Sequence, residues 1–309
     1  MNDPVRWESI TCPVCSSKNH LPWRTVRDRF DIIPGQTYSI VSCQDCGFRF
    51  LNPRPSIDSI RRFYEHEEYD PFLSTKRKKS WKDAVYTSVR RYSIWRKRLL
   101  LEGYKRWGRL LDVGCGTGEF LAYLRRYQWA VYGVEPDTGS RTYAQMQGLR
   151  VAADLDSLPT AHYDVITMWH VLEHLHDMTG GLEKAISRLS EGGFFILAMP
   201  NVDSWDLKRY QEDWIALDTP RHLYHFTEKD VRKVIPETTL RFVDTGGLWL
   251  DTLYNVLYSE RLHHRRTGWR YRPWYVLGTI IGSFLHDWQN PVRRASASVY
   301  IFRKENNYA

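Results

Sequence analysis

The chain has 309 residues, 42% hydrophobic and 26% charged, which excludes a mainly disordered chain and suits one large domain or two smaller ones. No apolar run reaches the roughly 20 residues of a membrane-spanning helix, and five cysteines are too few for a disulfide scaffold. The formal net charge of +8 is local: residues 75–109 carry thirteen Lys or Arg against Asp83 and Glu102, a net of +11 that leaves −3 for the rest.

Residues 1–58 read as short strands and turns. Cys12 and Cys15 form one C-x2-C pair, and after 27 residues Cys43 and Cys46 form a second. Each pair sets two thiolates on a tight turn, and two such turns complete a tetrahedron around Zn²⁺. Four Cys ligands leave no open position, so the expected zinc is structural. Residues 38–42 read as a strand between the pairs. Asn52-Pro53-Arg54-Pro55 then marks a boundary.

Residues 59–107 read as a basic helical linker. Trp81, Val85, Val89, Tyr92 and Leu99 recur at helical spacing and predict its buried stripe. Lys76-Arg77-Lys78-Lys79 and the arginines that follow have the charge to neutralise phosphates or to form a solvated face.

From residue 108 strands and helices alternate, which predicts an α/β fold with a doubly wound parallel sheet. Strands are expected at 110–113, 131–135, near 151, at 163–168 and at 193–199, with two more at 240–244 and 297–302. Helices fall between them, including one over much of 171–189.

The most informative run is Leu110-Leu111-Asp112-Val113-Gly114-Cys115-Gly116-Thr117-Gly118. A strand enters a turn with Gly at alternate positions, where a ligand can approach the backbone closely. Glu135 ends the next strand, 17 residues after Gly118. A carboxylate there suits the two hydroxyls of a ribose. Asp154, after the third strand, is placed to read an adenine edge.

Together with the fourth-strand run Asp164-Val165-Ile166-Thr167-Met168-Trp169-His170-Val171-Leu172-Glu173-His174 and the Gly192-Gly193 to Pro200-Asn201 element, this region resembles the class I S-adenosylmethionine (SAM)-dependent methyltransferases. The resemblance covers roughly 108–235 and implies a Rossmann-like seven-stranded sheet. It also implies a cofactor site made of Asp112, Gly114, Cys115, Gly116, Gly118, Glu135, Pro136, Asp154 and Leu155, with His170 beside the methionine part. The ribbon, the Asn52–Pro55 exit, Phe63-Tyr64, Tyr69 and the run Trp214 to Thr227 resemble bacterial small-molecule methyltransferases with an N-terminal zinc ribbon. Members of that family often accompany cell-surface polysaccharide genes. Tyr69 is read as a cover for the cofactor or as core.

His170, Glu173 and His174 also spell H-x-x-E-H, a metalloprotease pattern. His170 closes a strand here, so Glu173 and His174 are read as helix-terminal and packing residues. His222 and His225 are the candidate bases for an acceptor hydroxyl, with Asp218 as orienting partner. The rival reading for each His is a packed or capping residue. Arg221 suits an anionic acceptor group or a surface ion pair.

These features predict three parts: a zinc ribbon over 1–58, a basic helical linker over 59–107 and a methyltransferase domain over 108–309. Acceptor-side insertions are expected at about 203–235 and 245–295. The expected reaction is methyl transfer from SAM to a small molecule, with a sugar or cell-surface glycan precursor as the suggested class. RNA methylation through the basic helix and cofactor binding without turnover stand as alternatives. Arg261, Arg265, Arg266, Arg270 and Arg272, interleaved with Trp269, Tyr271 and Trp274, suggest an acceptor lid with peripheral membrane contact over 260–285. With no apolar signal segment at its start, the chain is expected in the cytoplasm.

Overall fold

The computed structural model describes residues 4–65, 81–159, 161–236, 238–268, 274, 276–282 and 295–305. Tyr69, the basic cluster 76–79, Trp269, Arg270, Tyr271 and Arg272 lie outside the described residues.

The N-terminal unit carries β1 (Trp7–Glu8), β2 (His20–Arg27), β3 (Thr37–Cys43), β4 (Arg49–Leu51) and β5 (Arg54–Pro55). In β3, Tyr38, Ile40, Val41 and Cys43 are buried while Thr37, Ser39 and Ser42 are not, so alternation holds except at the Ile40–Val41 pair. A 22-residue helix follows, α1 (Trp81–Glu102).

The alternating region gives β6 (Gly108–Val113), α2 (Glu119–Leu124), β7 (Trp129–Val134), α3 (Thr138–Met146), β8 (Arg150–Ala152), β9 (Tyr163–Trp169), α4 (Met178–Ser187) and β10 (Leu189–Pro200). Then come α5 (Trp205–Tyr210), β11 (Tyr224–His225), α6 (Glu228–Val234), β12 (Leu240–Gly247), α7 (Trp249–Thr267) and β13 (Ala297–Lys304). Strand β9 is buried along nearly its whole length, as a central strand covered on both faces must be.

The main sheet has seven strands in the order β12-β13-β10-β9-β6-β7-β8. Strands β6 to β10 pair in parallel, and β13 runs antiparallel between β10 and β12. This is the expected Rossmann-like α/β sheet, including the two late strands. Chain order reverses between β6 and β9, so their carboxyl ends open a crevice at a topological switch point.

The ribbon is joined to this body by backbone pairing. Strand β11, from the acceptor-side segment, completes a four-stranded sheet β11-β4-β3-β2. Phe48, Phe50, Tyr224 and Phe226 stack in one buried aromatic group across that junction.

Two sequence expectations are corrected. Of the predicted stripe of α1, Val89, Tyr92 and Leu99 face outward, at 40%, 39% and 37% exposed, while the side chains of Trp81 and Val85 lie outside the described residues. The inward face is Arg90, Ile94, Lys97 and Leu101: Arg90 pairs with Glu119 at 2.5 Å, and Leu101 is fully buried with Leu110 and Trp129. Charged side chains that bury their stems disguise this face as surface. Over 171–189, the expected helix is two pieces, a short 3₁₀ turn at Leu172–His174 and α4.

Candidate functional site

The crevice is built from both of its strands. On the β6 side, Gly114, Gly116 and Gly118 have φ of +73°, +55° and +76°, a region that L side chains seldom enter. A Cβ at Gly118 would strike Leu149 and Ala144, whereas the space over Gly116 is open. Gly118 therefore serves the packing of the turn and Gly116 its exposed concavity. Glu135 closes the turn: its carboxylate accepts from the Gly116 N–H at 2.8 Å and from the Asp137 N–H at 2.9 Å. Burial raises the Glu135 pKa, and these two donors oppose it.

Asp112 is buried and accepts from the Thr167 hydroxyl at 2.6 Å. Burial lifts its pKa to about 6, against the Thr167 bond and the Lys97 charge. Pro136 follows Glu135, and its carbonyl accepts from Arg141 at 2.8 Å. Asp154 is exposed and caps a turn by accepting from the Ser157 N–H at 2.8 Å, while Leu155 beside it is buried. Cys115 is half-buried, its thiol pKa raised by burial. A glycine cradle, a carboxylate at the tip of β7 and strand ends at a switch point together fit an adenosine-bearing cofactor.

On the β9 side, His170 closes the strand with φ +56°. Its Nε2 lies 2.8 Å from Asp251 Oδ2 on α7, and its Nδ1 lies 3.3 Å from Glu173 Oε1. Burial disfavours its charge, but the bonds to Asp251 and Glu173 prevail and raise its pKa to about 10. Lys97 of α1 reaches the same end, with Nζ 4.3 Å from the Trp169 ring centroid. Burial lowers its pKa, against Asp112 and Asp251. Lys97 and Asp251 are not legible as site residues in the sequence, because each comes from a distant helix with no motif around it.

Glu173, His174 and His222 converge beside His170. One ligand atom from each lies within 4.8 Å of the others, and the His174 and His222 rings meet edge-on at 4.6 Å. Glu173 is 0% exposed; its Oε1 pairs with His170 Nδ1, and its Oε2 accepts no hydrogen bond. Burial opposes its ionisation, yet His170 holds its pKa down at about 2. His222 is buried, and burial and the neighbouring His174 push its pKa down to about 4. The backbone draws these groups together, since the Leu223 N–H donates to the Glu173 carbonyl at 2.7 Å.

The other two candidates of the acceptor run are placed differently. His225 lies in β11, paired with Arg49 of the ribbon sheet, with its ring 6.5 Å from Trp23. Asp218 bonds Arg221 at 2.7 Å and Arg29 at 3.0 Å, and its oxygen stays 4.0 Å from His222 Nε2. Burial opposes its charge, but the two arginines hold its pKa well below the carboxylate range. Arg221 is fully buried and also pairs with Asp28 at 2.6 Å, which makes it an internal brace.

The cysteines meet as their spacing implied. All four Sγ atoms lie within 4.8 Å of one another, with Cys12–Cys46 and Cys15–Cys43 each at 3.5 Å. Zn–S bonds of about 2.3 Å in a tetrahedron set sulfurs about 3.8 Å apart, so the set fits Zn²⁺.

The family model described as a methyltransferase domain matches residues 85–242. The chain belongs to this methyltransferase family. Curated relatives include a ubiquinone biosynthesis O-methyltransferase of Methylobacterium sp. (strain 4-46), 25% identical over 160 residues, which cover 48% of this chain and 63% of the relative. Another, from Pectobacterium atrosepticum, is 28% identical over 153 residues, covering 45% and 61%. The matches thus span about 60 to 70% of these methyltransferases' own length. Similar solved structures include a SAM-dependent methyltransferase from Archaeoglobus fulgidus, at 16% identity and TM-score 0.47, covering 73% of this chain and 100% of that one. An S-adenosylmethionine-dependent methyltransferase from Mesorhizobium loti shows 15% identity and TM-score 0.45, covering 68% and 97%. Among the described residues of this chain, no helix is long and apolar enough to cross a membrane.

Proposed function

We propose that the chain is a SAM-dependent methyltransferase acting on a hydroxyl oxygen of a small molecule, with a sugar or glycan precursor as the acceptor class. One observation carries the reading: the glycine cradle closed by Glu135 and the His170–Glu173–His174–His222 cluster end adjacent strands and flank one crevice. SAM supplies an electrophilic methyl group on a sulfonium sulfur. Glu135 holds the ribose hydroxyls, Asp154 and Leu155 border the adenine, and Asp112, Pro136 and the turn from Gly114 to Gly118 shape the cradle. His170 borders the methionine part, and Lys97 brings a cation to the same end.

The chain's remaining task is to align and activate the acceptor hydroxyl. His222 is the catalytic residue of the original three, because it alone stands with the cluster after β9. Asp218 acts through Arg221 to hold the loop, and His225 serves the ribbon junction. Relatives named as O-methyltransferases support oxygen as the methylated atom. The ribbon holds a structural Zn²⁺ through Cys12, Cys15, Cys43 and Cys46.

The test uses methyl-labelled SAM, purified protein and fractionated bacterial extract. Alkali-stable label in small-molecule or glycan fractions supports the reading, and label in RNA overturns the acceptor class. Intact SAM binding with no label in any fraction, supplied with a panel of hydroxylated acceptors, argues for binding without turnover.

A further inference from the structure

We infer that Glu173, His174 and His222 form a second metal site, which takes a divalent first-row transition-metal cation. The ligand set is two imidazoles and one carboxylate, a donor combination such cations favour and one that leaves coordination positions open. It is not the H-x-x-E-H pattern of the sequence. Both ring nitrogens of His170 are engaged, Nε2 by Asp251 at 2.8 Å and Nδ1 by Glu173 at 3.3 Å, and its place is taken by His222 from a segment about fifty residues further along the chain.

The hydrogen bonds around the cluster carry the inference. His222 Nδ1 lies 2.8 Å from the Ala216 carbonyl, and His174 Nδ1 lies 3.1 Å from the Arg221 carbonyl. A carbonyl oxygen only accepts, so His222 Nδ1 carries the hydrogen and its Nε2 keeps a lone pair, while His174 Nδ1 also faces the Tyr64 hydroxyl at 3.0 Å. Metal-binding histidines are oriented in this way, with the second ring nitrogen donating to a carbonyl. The third member is a fully buried carboxylate whose Oε1 faces His170 Nδ1 and whose Oε2 accepts no hydrogen bond. His170 offsets part of that charge at Oε1, 3.3 Å away, and a cation at Oε2 would compensate the rest. Closing the 4.8 Å set around bonds of about 2.1 Å asks the side chains for roughly 1 Å of movement.

The cation's place in catalysis rests on the methyl-transfer reading; its binding does not. At an open position it would take the acceptor oxygen and favour loss of the hydroxyl proton to solvent. That oxygen's electron pair then forms the O–CH3 bond as the methyl–sulfur bond breaks and S-adenosylhomocysteine leaves.

The experiment titrates full-length protein carrying one zinc per chain, in the ribbon, with Mn²⁺, reading free Mn²⁺ by electron paramagnetic resonance. Mn²⁺ prefers oxygen and nitrogen donors over thiolates, so it leaves the ribbon's zinc in place. The expected result is one saturable Mn²⁺ per chain. Glu173→Gln and His222→Gln should each weaken it by at least about 10-fold to 100-fold, with zinc content and far-ultraviolet circular dichroism unchanged. A wild-type protein with no saturable Mn²⁺ binding overturns the site whether or not the variants fold. So does binding that is undiminished in both folded variants. SAM binding is read separately by calorimetry: SAM binding without Mn²⁺ binding removes the metal site alone, and Mn²⁺ binding without SAM binding removes the methyl-transfer reading alone.

Discussion

Arg221 and Asp28 form an ion pair at 2.6 Å with 0% and 1% of their side chains exposed, linking the acceptor-side segment to the loop after β2. Arg221 also donates to Asp218 and to the Phe63 carbonyl. Removing the guanidinium takes the ion-pair partner from Asp28 and leaves Asp218 to Arg29, which costs about 3–5 kcal/mol. Arg221→Ala should lower the urea midpoint accordingly, and Arg221→Lys should recover only part of the loss, because an ammonium cannot form the same planar fork. Equal stability of Arg221→Ala and wild type would remove the brace.

The ribbon should contain one Zn²⁺ per chain by elemental analysis, and Cys12→Ser should abolish it. A zinc site with four cysteine ligands is closed, so the metal contributes folding free energy and not reactivity. Strand β4 pairs with β11, two residues after His222. Chelation should therefore lower the melting temperature of the whole chain and not only loosen residues 4–55. A melting temperature unmoved by full zinc removal would contradict this.

Glu135→Ala should weaken SAM binding by about 10-fold to 100-fold, the worth of charge-assisted hydrogen bonds of about 1.5–3 kcal/mol. Gly116→Ala should act in the same direction at a backbone strain of about 1–2 kcal/mol, since its new methyl enters open space but φ is +55°. Calorimetric titration with SAM measures both. Gly118→Ala should instead destabilise the fold, because its methyl meets Leu149 and Ala144.

His225 supplies a pH dependence. Burial, reinforced by His222 and Arg49, lowers its pKa to about 3, against about 6.5 when unfolded. The unfolded chain then binds the extra proton between these values. Stability is full above pH 6.5 and falls as pH drops toward 3, by about 1.4 kcal/mol per pH unit for one proton. His225→Phe should flatten the stability-pH curve by that amount over pH 4–6. A curve of unchanged slope would mean that His225 titrates normally.

The parts of this protein legible in its residues are those in which local chemistry repeats. Gly114, Gly116 and Gly118 announce positive φ, Glu135 follows a strand at cofactor spacing, and four cysteines fall in matched pairs. The face of α1 is misread from its periodicity because Arg90 and Lys97 bury their stems while Val89, Tyr92 and Leu99 face outward. Lys97 and Asp251 escape notice because nothing next to them in the chain marks their destination.

Glycine placement, strand periodicity and cysteine spacing were enough to mark the strands, the glycine turn and the paired cysteines, since each depends on neighbours within a few residues. Which histidine joins Glu173 was a tertiary decision. His222, His225 and Asp218 are equivalent in the linear run, and only the pairing of β11 with the ribbon separates them. The Leu223–Glu173 backbone bond carries His222 into the cluster, and the next two residues carry His225 away from it. A strand alternates its side chains between faces, so a shift of one residue in that pairing would have chosen a different partner.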